Sequence, residues 1–510
     1  MADGARFGPT WTRRQVLLAG SAGAAGLGLS ACGGSADKSS NAARPGAPFT
    51  QPEVLASSNG RLEVTLKAEA GTVPFGDATR FAYTYNGTSP GPTLKVRPGD
   101  TLVITLENHL DETTNLHTHG LHVSPEGDSD NVFVAVGPGQ SHTYTYVLPE
   151  DHRSSLCWYH PHHHGMVAPQ LGGGLFGGII IEDTIDQLPE LADANDRLIV
   201  LSDPTVGGDS SVLDVSNMDI MRGREGDAAL VNGVNAPAIE ATAGTLERWR
   251  VLNASPSRYY LLAVDGHRLH VVSTDGGRLA APELRDDLLL APGERIEFLV
   301  TPARDGSFAL RTQGYDRGSP GMGGGMMGGG STSSTDEQVL ATMVVTGSAA
   351  AAVLPSTLAP DADLDAGVAG SERLIQLAMG MGGGNGGGMG GGGMGGGMGG
   401  GGMMSFSING ESFDPNRTNI DVRAGDTEDW VITNTSSMDH PFHLHAWPFR
   451  VIDRTSGPPD VPGWKDTVNV PANSSVTVRV PFTDITGRTV YHCHILDHED
   501  QGMMGIIEVR

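Results

Sequence analysis

Apolar and polar positions alternate with a period of two in short runs along most of the chain, the pattern of half-buried β-strands. Three such runs open on a shared motif: Val96-Arg97-Pro98-Gly99-Asp100-Thr101, Ala241-Thr242-Ala243-Gly244-Thr245 and Val422-Arg423-Ala424-Gly425-Asp426-Thr427. In each, the glycine precedes an asparagine (Asn108, Asn253, Asn434) by nine residues. A second turn then introduces a further strand: Pro138-Gly139 before Thr143-Tyr144-Thr145-Tyr146, Pro292-Gly293 before Ile296-Glu297-Phe298-Leu299-Val300, and Pro471-Ala472-Asn473 before Val476-Thr477-Val478-Arg479-Val480. This repetition predicts an all-β chain of three Greek-key β-sandwich domains at residues 50–185, 195–347 and 404–510. Residues 32–49 and 348–403 are expected to be linkers. A glycine–methionine tract runs from Met379 to Met404 and a shorter one from Gly321 to Gly330, and neither offers varied side chains for a core.

A length of 510 residues is too great for one ordinary domain. The formal net charge of −26 lacks the basic footprint of a nucleic-acid binder. Such a field gathers cations, metal ions included, or serves solubility alone. Residues 1–31 read as an address: Thr12-Arg13-Arg14-Gln15-Val16-Leu17-Leu18 is a twin-arginine pattern followed by small apolar residues. Leu29-Ser30-Ala31-Cys32 resembles a bacterial lipobox, which predicts export to the periplasm or cell surface and a lipid anchor at Cys32; cleavage to a free protein is the alternative. Cys157 and Cys493 are then too few for a disulfide scaffold, and Cys157 is expected to be a small buried hydrophobe.

Four His-x-His pairs carry the candidate chemistry: His117/His119, His160/His162, His443/His445 and His492/His494. Strand alternation puts i and i+2 on one face, so each pair offers two imidazoles to a common point. Imidazole suits copper, zinc, iron or nickel alike. In His492-Cys493-His494 the same alternation turns the cysteine to the opposite face, so one strand addresses two sites. His440, Cys493 and His498 with a weak Met503 form the ligand set of a blue-copper electron-transfer centre, and thiolate plus thioether favours copper over zinc.

In order and spacing HTHG, WYHPH, HPFHLH and HCHILDHEDQGMM resemble the four copper signatures of the multicopper oxidases, a family that includes laccases, bilirubin oxidases and bacterial cuprous oxidases. The resemblance implies three cupredoxin-like domains and four copper ions. His440, Cys493, His498 and Met503 would hold the type 1 copper, and His117 and His443 the type 2. One type 3 copper would fall to His119, His160 and His494, the other to His162, His445 and His492. It further implies electrons drawn one at a time from a substrate, passed through Cys493, and used to reduce dioxygen to water. Asp128 resembles the family's acidic residue near the type 2 copper, with Asp130 as its rival, and Glu499 resembles the proton donor. An axial Met503 implies a moderate type 1 potential. The second domain, reading Ala254-Ser255-Pro256 after Asn253, is expected to be a copper-free spacer.

The substrate remains open between Cu(I), other metal ions and phenolics. Met438 and Asp439 beside His440 are candidate Cu(I) contacts, and Trp464-Lys465-Asp466-Thr467-Val468 resembles a segment of the cuprous oxidases. Ten of the 18 methionines lie in the two tracts, which reads either as Cu(I) capture in copper homeostasis or as plain linker. His163, His164, His267 and His270 fall outside the signatures. A monomer is expected. The competing readings are a copper-storage protein without turnover and an enzyme like the copper nitrite reductases.

Overall fold

The structure, a computed structural model, describes residues 46–182, 184–320, 337–358, 365–381 and 404–510. The signal, Cys32 and the interiors of both glycine–methionine tracts lie outside the described residues. Six sheets pair into three sandwiches. The first joins a four-stranded sheet, built on Arg61–Phe75 and Thr101–Asn108, to a five-stranded sheet that contains His117–His119 and Leu156–His160. In the second, six strands around Glu247–Asn253 and Arg295–Val300 face five around Gln338–Ser348. The third packs six strands around Thr427–Asn434 against five that include His440–Leu444 and Gly487–Cys493.

Each sandwich encloses its own apolar core, anchored by Tyr85 and Tyr144 in the first, Trp249 and Phe298 in the second, and Trp430 and Phe442 in the third. Thr101–Asn108 and Thr427–Asn434 bury alternate residues with the same periodicity, as their sequence predicts. Glu247–Asn253 is buried throughout. Its outer face is covered by a further apolar cluster in which Leu198, Val200, Leu252 and Ala254 meet Leu156, Trp158 and Phe176 of the first sandwich and Leu496 of the third. The three sandwiches thus share an apolar interface.

The repeated motif has a physical basis. Gly99, Gly244 and Gly425 stand at φ 83°, 91° and 95°, a left-handed turn where a Cβ is strained. Each strand then ends on its asparagine, whose amide clamps the next loop. Asn253 Nδ2 donates to the carbonyls of Arg258 and Leu290 while its Oδ1 accepts from Ser255 N–H. Asn108 and Asn434 make the corresponding bonds with Glu112, Val136 and Leu110, and with Met438, Val470 and Ser436.

One boundary is corrected. Residues 348–403 are not a linker throughout: Ser371–Met381 is a strand of the third sandwich, parallel to Thr427–Asn434 and antiparallel to Met404–Ile408. Ile375 and Leu377 alternate into that core. The glycine-rich composition that follows hid this alternation.

Helices are few and short among the described residues, and none is long and apolar enough to cross a membrane. Leu496–Asp500 is tied to Val167–Gly173 by the Asp500 carboxylate, which accepts from the Gly165, Val167 and Ala168 N–H groups and supplies the cap that helix otherwise lacks.

Asn253→Ala leaves two carbonyls and an N–H buried without their partner. At about 1 kcal/mol net per bond, a loss of about 3 kcal/mol is expected, measured as a lower guanidinium chloride midpoint. A loss under about 0.5 kcal/mol would mean the loop is held by other contacts.

Candidate metal centre

Two strand pairs build the site. His117–His119 runs antiparallel to Leu156–His160 with His117 opposite His160, and His440–Leu444 runs antiparallel to Gly487–Cys493 with His443 opposite His492. These pairs belong to the first and third sandwiches, and their faces meet so that eight imidazoles converge. His117 stacks on His445 with centroids 3.9 Å apart, and His119 on His443 at 3.8 Å. His492 Nε2 lies 3.2 Å from His162 Nε2 and 3.1 Å from His445 Nε2. The His494 ring is 5.2 Å from His119 and 5.9 Å from His160. All eight are buried.

Their protonation follows from that burial. Desolvation holds every one of these imidazoles below its ordinary value, His160 to about 3 and His443 to about 4, so all are neutral and able to bind a metal. Outward hydrogen bonds then fix which nitrogen carries the proton. His117 Nδ1 donates to Asp130 at 3.0 Å, His160 Nδ1 to the Pro161 carbonyl, and His443 Nδ1 to the Asp466 carbonyl. The inward Nε2 atoms of all three have no partner. His119 is reversed: its Nε2 donates to Asp466 Oδ1 at 2.9 Å and its Nδ1 is left bare. His445 Nδ1 and both nitrogens of His494 are likewise buried without a partner. A native interior rarely leaves so many polar atoms unsatisfied, each costing roughly 1–3 kcal/mol, so the donor set fits bound metal ions.

The second site lies on the opposite face of the same strand. Cys493 Sγ is 3.3 Å from His440 Nδ1 and 3.8 Å from His498 Nδ1. His440 Nε2 hydrogen-bonds with Ser436 Oγ at 2.8 Å, and His498 Nε2 donates to the Met221 carbonyl at 3.2 Å, so both Nδ1 lone pairs face the sulfur. Met503 is fully buried in the same apolar cluster as Cys493, pinned by its N–H to the His498 carbonyl and by the Cys493 N–H to its own carbonyl. Burial pushes the Cys493 thiol well up, so a cation is needed to ionise it. Groups with ligand atoms within 4.8 Å of one another include His440, Cys493 and His498; His162, His445 and His492; and His117, His443 and His445.

Asp466 ties two cluster histidines together, through its side chain to His119 and its carbonyl to His443. Burial alone would raise its pKa, but the Arg295 guanidinium outweighs that and holds it down at about 2. Asp130 is raised to about 7 by burial, against which hydrogen bonds from Thr118 N–H and Oγ pull. Burial, with Asp500 nearby, raises Glu499 well above the carboxylate range; its oxygens lie 3.4 Å from His162 Nε2 and 3.1 Å from His492 Nδ1.

Two expectations need correction. The Asp128 side chain is 74% exposed, 3.5 Å from His142, and takes no part in the cluster; Asp130, two residues on, turns inward to His117. Met438 and Asp439 are not open contacts for a substrate ion. Met438 packs in the core, and the Asp439 carboxylate is consumed by Tyr315 Oη, Asn469 Nδ2 and the Ala472 N–H. His163 is half-buried, His164 is exposed beside Phe413, and His267 and His270 belong to the second sandwich. Arg295 lies in no motif, and Asp466 gains its role only through the fold, which pairs the two.

Three profiles described as multicopper oxidase match residues 67–186, 200–328 and 396–510. Over 470 residues the chain is 30% identical to a multicopper oxidase of Staphylococcus haemolyticus, covering 90% of this chain and 91% of that protein. It is 27% identical to a laccase of Bacillus subtilis, covering 83% and 89%. A solved multicopper oxidase of Campylobacter jejuni, described as a metallo-oxidase, superposes with a TM-score of 0.76 at 28% identity over 91% of this chain and 96% of that one. The chain belongs to the multicopper oxidases. It is a copper-dependent oxidoreductase of cupredoxin-like domains that takes electrons from a reducing substrate and uses dioxygen.

Asp130→Ala removes the acceptor that orients His117 and is expected to weaken copper retention about 10–100-fold. Asp128→Ala should leave it within about twofold, since an exposed carboxylate contributes little. Metal analysis after dialysis against a graded chelator tests both, and equal effects would reverse the correction.

Proposed function

We propose that this chain oxidises Cu(I) one electron at a time at the His440, Cys493, His498 and Met503 site and reduces dioxygen to water at the eight-histidine cluster. The observation that carries this reading is the run His492-Cys493-His494, at and just past the end of Gly487–Cys493, in which Cys493 faces one site while His492 and His494 face the other. In the cluster, His117 and His443 would hold one ion. His119, His160 and His494 would hold a second, and His162, His445 and His492 a third, four coppers with the thiolate site. Bound copper supplies the one-electron chemistry at the thiolate and the four-electron reduction of dioxygen at the cluster. Cys493 is covalently joined to both flanking histidines, which gives electrons a path one residue long on either side. Glu499, buried and protonated beside His162 and His492, would supply protons for the reduction of dioxygen. Asp130 keeps the His117 proton on Nδ1 and the ligand lone pair inward.

Burial of the thiolate site favours a small electron donor. His440 and His498 are both fully buried, and Phe406 stacks on His498 at 4.6 Å. The short helix Asn217–Arg222 covers His498 with the Met221 carbonyl and carries Met218, 40% exposed, at the surface. Phe406 lies on Met404–Ile408, and residues 382–403, with most of the longer methionine tract, join that strand to Ser371–Met381. Thioethers bind Cu(I) well, so Met218 at the surface over His498 and the methionines of the tract in this sequence support Cu(I) over a bulky phenol. The twin-arginine pattern and Cys32 add support for a lipid-anchored oxidase outside the cytoplasm that serves copper homeostasis.

Copper-loaded protein is expected to show intense thiolate-to-copper absorption and to consume oxygen faster with Cu(I) than with phenols. Cys493→Ser should abolish both absorption and turnover, and Glu499→Gln should slow oxygen consumption by about 10²–10⁴-fold with the absorption retained. Deleting residues 382–403 should slow Cu(I) oxidation more than phenol oxidation. Absorption without turnover on any donor would point to copper storage instead.

A further inference from the structure

The second sandwich holds none of the copper ligands, yet one of its side chains reaches the cluster. Arg295, at the start of the strand Arg295–Val300, is 1% exposed and uses all five of its N–H groups. Its Nη1 and Nη2 donate to Asp466 Oδ1 at 2.7 Å and Oδ2 at 2.6 Å, a two-pronged pair with the third sandwich. Nε donates to the Leu156 carbonyl of the first sandwich at 2.8 Å. The remaining hydrogens go to the Gly293 and Asp275 carbonyls of its own sandwich. One guanidinium therefore bonds to all three sandwiches at once.

What it holds is the cluster's outer scaffold. Asp466 Oδ1 accepts from His119 Nε2, its carbonyl accepts from His443 Nδ1, and Thr467 Oγ lies 3.2 Å from both rings. These bonds decide that His119 presents Nδ1 and His443 presents Nε2. Space around the guanidinium is closed: a Cβ on Gly120 would strike Arg295 Nη2, and one on Gly293 would come within 2.8 Å of the His494 ring. Asp275 is itself held by Arg295 N–H and by Lys465, which also bonds Glu294, so the arginine cannot swing away without breaking a buried network.

We infer that Arg295 is a positioning residue of the copper cluster, through which the copper-free sandwich fixes the tautomer and aim of His119 and His443 by clamping Asp466. The inference rests on the proposed copper assignment. Lysine at 295 keeps the charge but loses the planar fork, so it can hold one Asp466 oxygen and not both.

The test compares the copper-loaded parent, Arg295→Lys, and the double variant Arg295→Met/Asp466→Asn, whose neutral pair avoids stranding a buried carboxylate. Type 1 absorption, the electron paramagnetic resonance signal of the type 2 copper and copper retention against a chelator are read in the same samples. The expected result is unchanged type 1 absorption in both variants, an altered type 2 signal, and copper loss from the cluster at least about tenfold easier, milder in Arg295→Lys than in the double variant. Type 2 signals and retention equal to the parent's, with only a lower unfolding midpoint, would make Arg295 a structural tie and overturn the inference. A parent without type 1 and type 2 signals would instead overturn the copper assignment on which it stands.

Discussion

Eight neutral imidazoles kept dry between two β-sandwiches are the constraint around which the rest of this molecule is arranged. Burial removes their ability to hold protons, and the outward hydrogen bonds to Asp130, Pro161 and Asp466 leave chosen lone pairs with nothing protein-made to meet. Left without a partner, those inward atoms are a destabilisation that a bound metal would relieve. An apolar cluster that spans all three sandwiches packs beside them.

The same economy of position explains how two redox sites share one strand. A period of two is enough to send a thiol into the third sandwich's apolar core and its neighbours into the inter-domain cleft. Neither site could be displaced along the strand by one residue without inverting every side chain on it. The repeated asparagine clamps, built identically in all three sandwiches, give the strands that carry or support the ligands a fixed end from which the following loops depart.

Much of this was legible in the sequence because it is periodic. The Gly-to-Asn repeat marked the three sandwiches, and the His-x-His pairs marked the cluster, since strand alternation is a local rule. The misreadings fall where local rules stop. Asp128 and Asp130 share a loop without periodicity, and only the fold shows which of them turns toward His117. Adjacency to His440 made Met438 and Asp439 look like contacts for an incoming ion, but the loop folds them onto the core, Tyr315 and Asn469. Ser371–Met381 was masked by the glycine-rich stretch it leads into. Arg295 meets Asp466 across 171 residues, a separation at which no motif could have announced the pair.

Because the ligands of one cluster come from both ends of the chain, the order of synthesis sets the order of assembly. His162 and His492 are 330 residues apart, an interval of on the order of tens of seconds at roughly 5–20 residues per second on a ribosome. Throughout that time the first sandwich can complete its own core but presents only half a coordination cage. The complete set of eight imidazoles therefore exists only once the last sandwich has docked.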